Sequence, residues 1–153
     1  MSRASCTGRA SARAESGVAA VEVALLVPLV LLLVAGLIQY GFYFSAQQGG
    51  SAAAREAARR AAVGAPTSCD AFRSEVGTNV AQVATGGLDI RRDFGDANAN
   101  SKVDIGENVT VTVVFQSRDL DLPFLPFVDG GLVTKKATAR VDYLPDSTIA
   151  DCL

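Results

Sequence analysis

Gly17-Val-Ala-Ala-Val-Glu-Val-Ala-Leu-Leu-Val-Pro-Leu-Val-Leu-Leu-Leu-Val-Ala-Gly-Leu-Ile-Gln-Tyr-Gly-Phe-Tyr-Phe44 decides how the rest of the chain is built. Residues 23–38, which open on Val23 and close on Ile38, contain nothing charged or strongly polar. At a rise of about 1.5 Å per residue they cover most of a bilayer core roughly 30 Å thick. Residues 18–21 on one side and 39–44 on the other make the stretch long enough to cross. It closes on Tyr40, Phe42, Tyr43 and Phe44, aromatic residues of the kind that gather at the headgroup level. A single carboxylate, Glu22, interrupts it near its start. In hydrocarbon a carboxylate costs about 2.5 kcal/mol or more at the centre of a span and less towards its end. It is kept where it finds a partner, or where it lies at the interface and reaches water. Pro28 sits inside the span and is expected to kink the helix or relax its local bonding, which membranes tolerate.

Upstream, residues 1–17 are small and polar, with Arg3, Arg9 and Arg13 against Glu15 and no apolar periodicity. A short basic leader before an apolar span places the N-terminus in the cytoplasm. Arg55, Arg59 and Arg60 beyond the span pull the other way. An ordinary secretory signal has an apolar region of about 7–15 residues followed by small residues at the cut. Here the region is longer and ends in aromatics. That argues against a cut after Ala46, which would leave Gln47 as the first residue.

Gly17, four residues and then Glu22 resembles the processing site of type IV pilin-like precursors. In those a prepilin peptidase cuts after the Gly, and the Glu becomes the fifth residue of the mature chain. Residues 16–29, Gln39-Tyr-Gly-Phe42, Ala53-Ala-Arg-Glu-Ala-Ala-Arg-Arg60 and Ala61-Ala-Val63 are together similar to the TadE-like family, pseudopilins of the tight-adherence (Tad, Flp-type) pilus machinery. The resemblance covers about residues 16–63. Val23 departs from it, since the family usually has Phe or Tyr after the Glu; both are apolar. The resemblance implies a cut after Gly17, a new amine on Val18, and an assembly role in which Glu22 of an incoming subunit pairs with its neighbour's amine. That amine would lie about one helical turn from Glu22, close enough to neutralise it within one chain as well. The implied partners are a prepilin peptidase, other pilin-like subunits, the membrane platform of the pilus and membrane lipid. The implied location is the cytoplasmic (inner) membrane, single-pass, with the C-terminal domain outside the cytoplasm and a place in a surface pilus open to it. The implied process is cell adhesion and biofilm formation, with no catalysis by the chain itself.

Beyond the aromatics the sequence turns Ala-rich. Ala is the best helix former and Glu56 with Arg60 makes a favourable i,i+4 pair, so the helix is expected to continue outward. Gly49-Gly50 is a soft point or break. Ala54, Ala58 and Ala62 form a small-residue stripe suited to close packing on another helix. Unbroken over residues 18–63, the helix would run on the order of 70 Å. Gly64-Ala65-Pro66 ends it. A second helix is expected from Cys69 to about Ala84, with Thr67 and Asp70 as a capping box and Phe72, Val76, Val80 and Val83 as its apolar face. Gly86-Gly87 stops it. The remainder reads as strands. Residues 88–92 are short and weak. Residues 109–116 are strong, with Val109, Val111, Val113 and Phe115 on one face. Residues 132–144 set Ala137, Ala139, Val141 and Tyr143 against Lys136, Thr138, Arg140 and Asp142. Pro123, Pro126 and Asp129-Gly130-Gly131 lie in the long loop between the last two. The fold class is therefore α+β: a long N-terminal transmembrane helix, a second helix and an antiparallel sheet of two to three strands. The domains are a leader over 1–17, the span with its extension over 18–63, and a small domain over 64–153.

The net charge of −2 with no basic run makes nucleic acid an unexpected partner, and the absence of His removes His-based triads, bases and metal ligands. No constellation of acids or nucleophiles suggests an enzyme or a small-molecule substrate. Once the leader is gone with Cys6, Cys69 and Cys152 remain on the oxidising side, where a bond between them would pin the C-terminus to the helical part. Free thiols and intermolecular pairing are the alternatives. Residues 96–107 have the spacing of a twelve-residue calcium loop, with Asp96, Asn98, Asn100, Asp104 and Glu107 as oxygen ligands. Ser101 stands where such loops need Gly, and a strand rather than a helix follows. The plainer reading is a solvated turn between strands. Two functions remain. One is a membrane-anchored minor pseudopilin. The other is a signal-anchored or secreted binding module organised around 96–107.

Overall fold

The computed structural model of the chain describes residues 9–100, 102–122, 128–144 and 151–153, with side chains from Gly17 onward in the first helix. It divides into two compact units, the first ending at Ile38 and the second beginning at Gln39. The elements are α1 (Arg9–Ala61), α2 (Cys69–Val80), β1 (Ala84–Phe94), β2 (Asn108–Ser117), a short 3-10 turn (Val128–Gly131) and β3 (Leu132–Arg140). The α+β expectation holds. Pro123 and Pro126 lie outside the described residues, as do Cys6 and Ser101.

In the first unit the apolar side chains of α1 face outward. Leu25 is 74% exposed and Leu37 67%, and only 6% of the most apolar window is buried. That separates this helix from the buried core helix of a globular protein. The helix is long and apolar enough to span a membrane by itself.

In the second unit α1 buries one face. Ala46, Ala53, Ala54, Ala57, Ala58, Ala61 and Ala62 all belong to the core. The Ala54–Ala58–Ala62 stripe thus packs inside its own chain's core. Gly49-Gly50 does not break the helix. A Cβ built on Gly50 would stand 2.7 Å from Cε1 of Phe115 and 3.3 Å from Cγ of Lys135, and one on Gly49 3.1 Å from Cγ2 of Val83. At both glycines the helix lies too close to these side chains for a Cβ to fit without a shift. Glu56 does not pair with Arg60 as expected. It lies 4.0 Å from Arg59, while Arg60 pairs with Glu75 of α2. The helix ends as expected. Gly64, at φ 72°, donates to the Ala61 carbonyl (2.9 Å) and Ala65 to that of Arg60 (3.1 Å). This is the 5→2 and 6→1 pattern that a left-handed glycine allows. The Ala62 carbonyl accepts from Asp142 N (2.9 Å), which ties the helix end to the chain leaving β3.

α2 begins one residue later in its capping than expected. Ser68, not Thr67, is the N-cap, its hydroxyl accepting from Ala71 N. The helix also ends sooner, at Val80. Phe72, Val76 and Val80 are buried as the pattern required. Val83 packs against the core from the turn that follows rather than from the helix. The segment given to a weak strand is the eleven-residue β1, and Gly86-Gly87 lies within it instead of terminating α2. The sheet order is β1-β2-β3, antiparallel throughout. Its inner face carries Ile90, Arg92 and Phe94 from β1, Val109, Val111, Val113 and Phe115 from β2, and Val133 from β3, all buried. Tyr143, expected on that face, is 60% exposed because β3 stops at Arg140 and the chain turns toward the end of α1. Fully burying side chains of this size contributes about 1.5–3 kcal/mol each, which makes this face the main source of the unit's stability.

Cys69 and Cys152 are disulfide-bonded. The bond fastens the C-terminal residues along β1, where Arg92 N donates to Cys152 O (3.0 Å) and Cys152 N to Arg92 O (2.7 Å). Beneath them the Arg92 guanidinium is fully buried. It stacks between Phe72 (4.8 Å) and Phe94 (5.3 Å) and donates to the carbonyls of Pro66 (2.8 Å) and Thr67 (3.3 Å). Burial pulls this group below the usual arginine range, and the nearby Asp151 carboxylate opposes the shift.

Gly50→Leu is expected to destabilise the second unit by about 1–3 kcal/mol, since Phe115 is fully buried and has nowhere to move. Chemical denaturation of the disulfide-intact chain in detergent checks it; Gly41→Leu, which meets open space, serves as the control.

Candidate functional site

Gly17, Val18 and Glu22 lie within α1, in the first unit. A glycine inside a helix is disfavoured by about 1 kcal/mol relative to alanine unless something requires it. Among the described residues no packing does, because a Cβ at Gly17 would meet no atom within 4 Å. Val18 is 70% exposed, and Glu22 is exposed as well. The two are four residues apart, so they share a helix face about one turn from each other. Glu22 is the only charged residue between Gly17 and Arg55. An amine created at Val18 would therefore be its nearest possible partner within the chain, and a neighbouring copy's amine would serve equally.

Where the apolar run gives way to polar residues, the second unit holds a feature the sequence reading missed. Gln39 is 98% buried. Its Nε2 donates to Asp119 Oδ1 (2.8 Å), and its Oε1 accepts from Leu120 N (2.9 Å). Arg118 places its guanidinium over the Phe42 ring at 5.7 Å. Phe42, Ser45, Gln82, Val83 and Arg118 line a small cavity of about 170 Å³. The available signal was the lone carboxamide at the end of an apolar run. Alone, it does not say whether it turns to water or to the chain.

The 96–107 loop is closed by its own side chains. Glu107, buried, accepts from Ala97 N through Oε1 (2.9 Å) and from Asp104 N through Oε2 (3.1 Å). Asp104 Oδ2 accepts from the side-chain amides of Asn98 (2.7 Å) and Asn100 (2.6 Å). Asp96 Oδ1 and Asn98 Oδ1 both accept from Asn100 N at 3.0 Å, and Asn100 Oδ1 from Lys102 N at 2.8 Å. The turn-forming character expected of these residues is what the loop displays. Among the described residues no group of three or more Asp, Glu or Cys side chains comes together as a metal cluster would. The amides of Asn98 and Asn100 hold the Asp104 carboxyl below its usual range, with Lys102 helping and slight desolvation opposing.

The family model described as TadE-like protein matches residues 17–59. It covers Gly17, Glu22, the whole apolar run and the Ala-Arg-Glu-Ala-Ala-Arg segment, and supports the TadE-like assignment carried by those same residues. The sheet lies outside the match. No match was found among curated proteins or among solved structures. Over those residues the chain is similar to TadE-like proteins, and its N-terminal apolar helix is consistent with a single-pass membrane anchor.

A carboxyl held below its ordinary value stabilises its surroundings at higher pH and loses that effect as pH falls through the lowered value. The side-chain amide resonances of Asn98 and Asn100 are therefore expected to shift together as pH falls, with a midpoint below that of an ordinary Asp, about 3.9. Asp104→Asn should remove that titration when followed by two-dimensional NMR.

Proposed function

We propose that the chain is a minor pseudopilin of a tight-adherence pilus system. A prepilin peptidase cuts after Gly17 and frees the Val18 amine. The rest of α1 holds the protein in the cytoplasmic membrane, with its start in the cytoplasm and the second unit outside. Glu22 pairs with a mature N-terminal amine, its own or an adjacent subunit's, and this pairing together with helix packing brings subunits of the pilus machinery together. The chain performs no catalysis.

The observation that carries this reading is the combination at the start of the span. A glycine that packing among the described residues does not require stands five residues before the one carboxylate of the apolar stretch 17–44. An unpaired charge costs about 2.5–3.5 kcal/mol at the centre of such a span and less, but still something, near its end. The cut supplies the opposite charge one turn away. The TadE-like match over the same residues supports the system to which the reading assigns it. The Cys69–Cys152 bond supports an oxidising compartment for the second unit.

The mature N-terminus and intact mass of protein purified from membranes of a host with a prepilin peptidase test the cut. A start at Val18, lost in Gly17→Arg, is expected. A start at Gln47, or an intact leader, contradicts it. Glu22→Ala is expected to leave the cut intact while lowering recovery of the protein with its assembly partners.

A further inference from the structure

We infer that the segment 118–122, between β2 and β3, is a second membrane contact of this chain, seated in the headgroup layer beside the point where α1 leaves the bilayer. The inference rests on the membrane-anchor reading of α1 and adds to it a surface of the second unit that would meet phospholipid.

Gln39 directly follows Ile38, the last residue of the apolar run. A glutamine at that position has only to reach water. Here its carboxamide is instead buried and engaged at both ends, by Asp119 Oδ1 and Leu120 N. The two bonds hold the segment against the helical turn bearing Tyr40 and Phe42, and Arg118 covers the Phe42 ring. The depth follows from simple lengths. The interfacial layers add roughly 5–8 Å on each side of the hydrocarbon core, and residues 39–44 rise about 7.5 Å along the helix. A segment bonded to Gln39 therefore lies at the inner boundary of that layer.

The chemistry of the segment suits this depth. Leu120 is 40% exposed although nothing in the segment's polarity requires an outward leucine. Its backbone N–H is already satisfied by Gln39, so approach to hydrocarbon leaves no open donor there. The Asp119 carboxylate, the group that would most resist this depth, accepts from Gln39 and from Asp121 N (2.8 Å). Arg118 is placed to meet a lipid phosphate while its guanidinium stays on an aromatic face. Tyr40, Phe42 and Phe44 are exposed on the adjoining turns, in the residue types that favour the interface. In sequence the chain continues as Pro-Phe-Leu-Pro-Phe-Val, without a charge.

The chain contains no Trp, so single replacements report depth without background. The full chain is reconstituted into vesicles of phosphatidylglycerol and a phosphatidylcholine brominated either near the headgroup or near the end of its acyl chains. Three variants are compared: Leu120→Trp in the segment, Leu25→Trp in the span, and Thr134→Trp on the exposed face of the sheet. Leu120→Trp is expected to emit to the blue of Thr134→Trp and to lose more intensity with the shallow bromines than with the deep ones. If Leu25→Trp is quenched but Leu120→Trp behaves like Thr134→Trp, the anchor reading stands and this inference is overturned; contact with another protein subunit instead of lipid would give that result. If Leu25→Trp is also unquenched, the anchor reading fails and the inference with it. Should Leu120→Trp not form the Cys69–Cys152 bond, a nitroxide on Leu120→Cys in a Cys6→Ser chain replaces it. Its collision rates with oxygen and with a water-soluble nickel complex are expected to place it between the same label at residues 25 and 134. Rates equal to those at residue 134 overturn the inference.

Discussion

Among the described residues, the large apolar side chains of residues 23–38 are left exposed, and that constraint governs how the first unit can exist. Leu25, Leu29, Leu31, Leu33 and Leu37 are each at least 60% exposed. At about 25 cal/mol per Å² of apolar area, a row of such side chains in water is unfavourable by many kcal/mol. Only lipid or the helices of other proteins can take up that area. Once the segment is in the bilayer, Glu22 becomes the residue that needs explaining, because it is the one charge the membrane would not choose.

The second unit solves a different problem with the same helix. Its sheet is small and needs a cover, and α1 provides it by presenting Ala and Gly along one face. Its small side chains share one core with Val109, Val111, Val113 and Phe115, and Gly50 lies too close to Phe115 for a Cβ. At the far edge α2, the Cys69–Cys152 bond and the buried Arg92 lock β1 and the C-terminal residues together. Arg92 is held by two aromatic faces and two carbonyls, so its burial is compensated locally. The result is a compact second unit with its own core.

Much of this was legible in the sequence. The apolar run, the alternation of β2, the apolar face of α2 and the stop at Gly64 are strong periodic or punctuation signals, and each appears where expected. The errors lie where two signals compete. Gly86-Gly87 reads as a helix stop, but pairing with β2 draws those glycines into β1. Val83 keeps helical spacing with Val76 and Val80, yet it reaches the core from a turn. Gly49-Gly50 reads as a flexible point because propensity is local, while the need for glycine there is set by Phe115, far along the chain. Arg92 and Gln39 were invisible for the same reason. A polar residue carries no mark in the sequence that says it will be buried with its partners.

At the candidate site the sequence was more informative than the fold. Gly17 and Glu22 are recognisable by spacing, and the structure adds that packing among the described residues does not require Gly17. The proposed pairing would join the Val18 amine of a cut chain to the Glu22 carboxylate inside the membrane. Its most direct test is a solid-state NMR distance between the ¹⁵N-labelled terminal amine and the ¹³Cδ of Glu22 in membrane-embedded mature protein. Strong dephasing at contact distance, about 4 Å or less between the charged atoms, is the predicted result. Samples mixing singly labelled chains would show whether the pair joins neighbours. A free Val18 amine with no dephasing from any Glu22 would contradict the account.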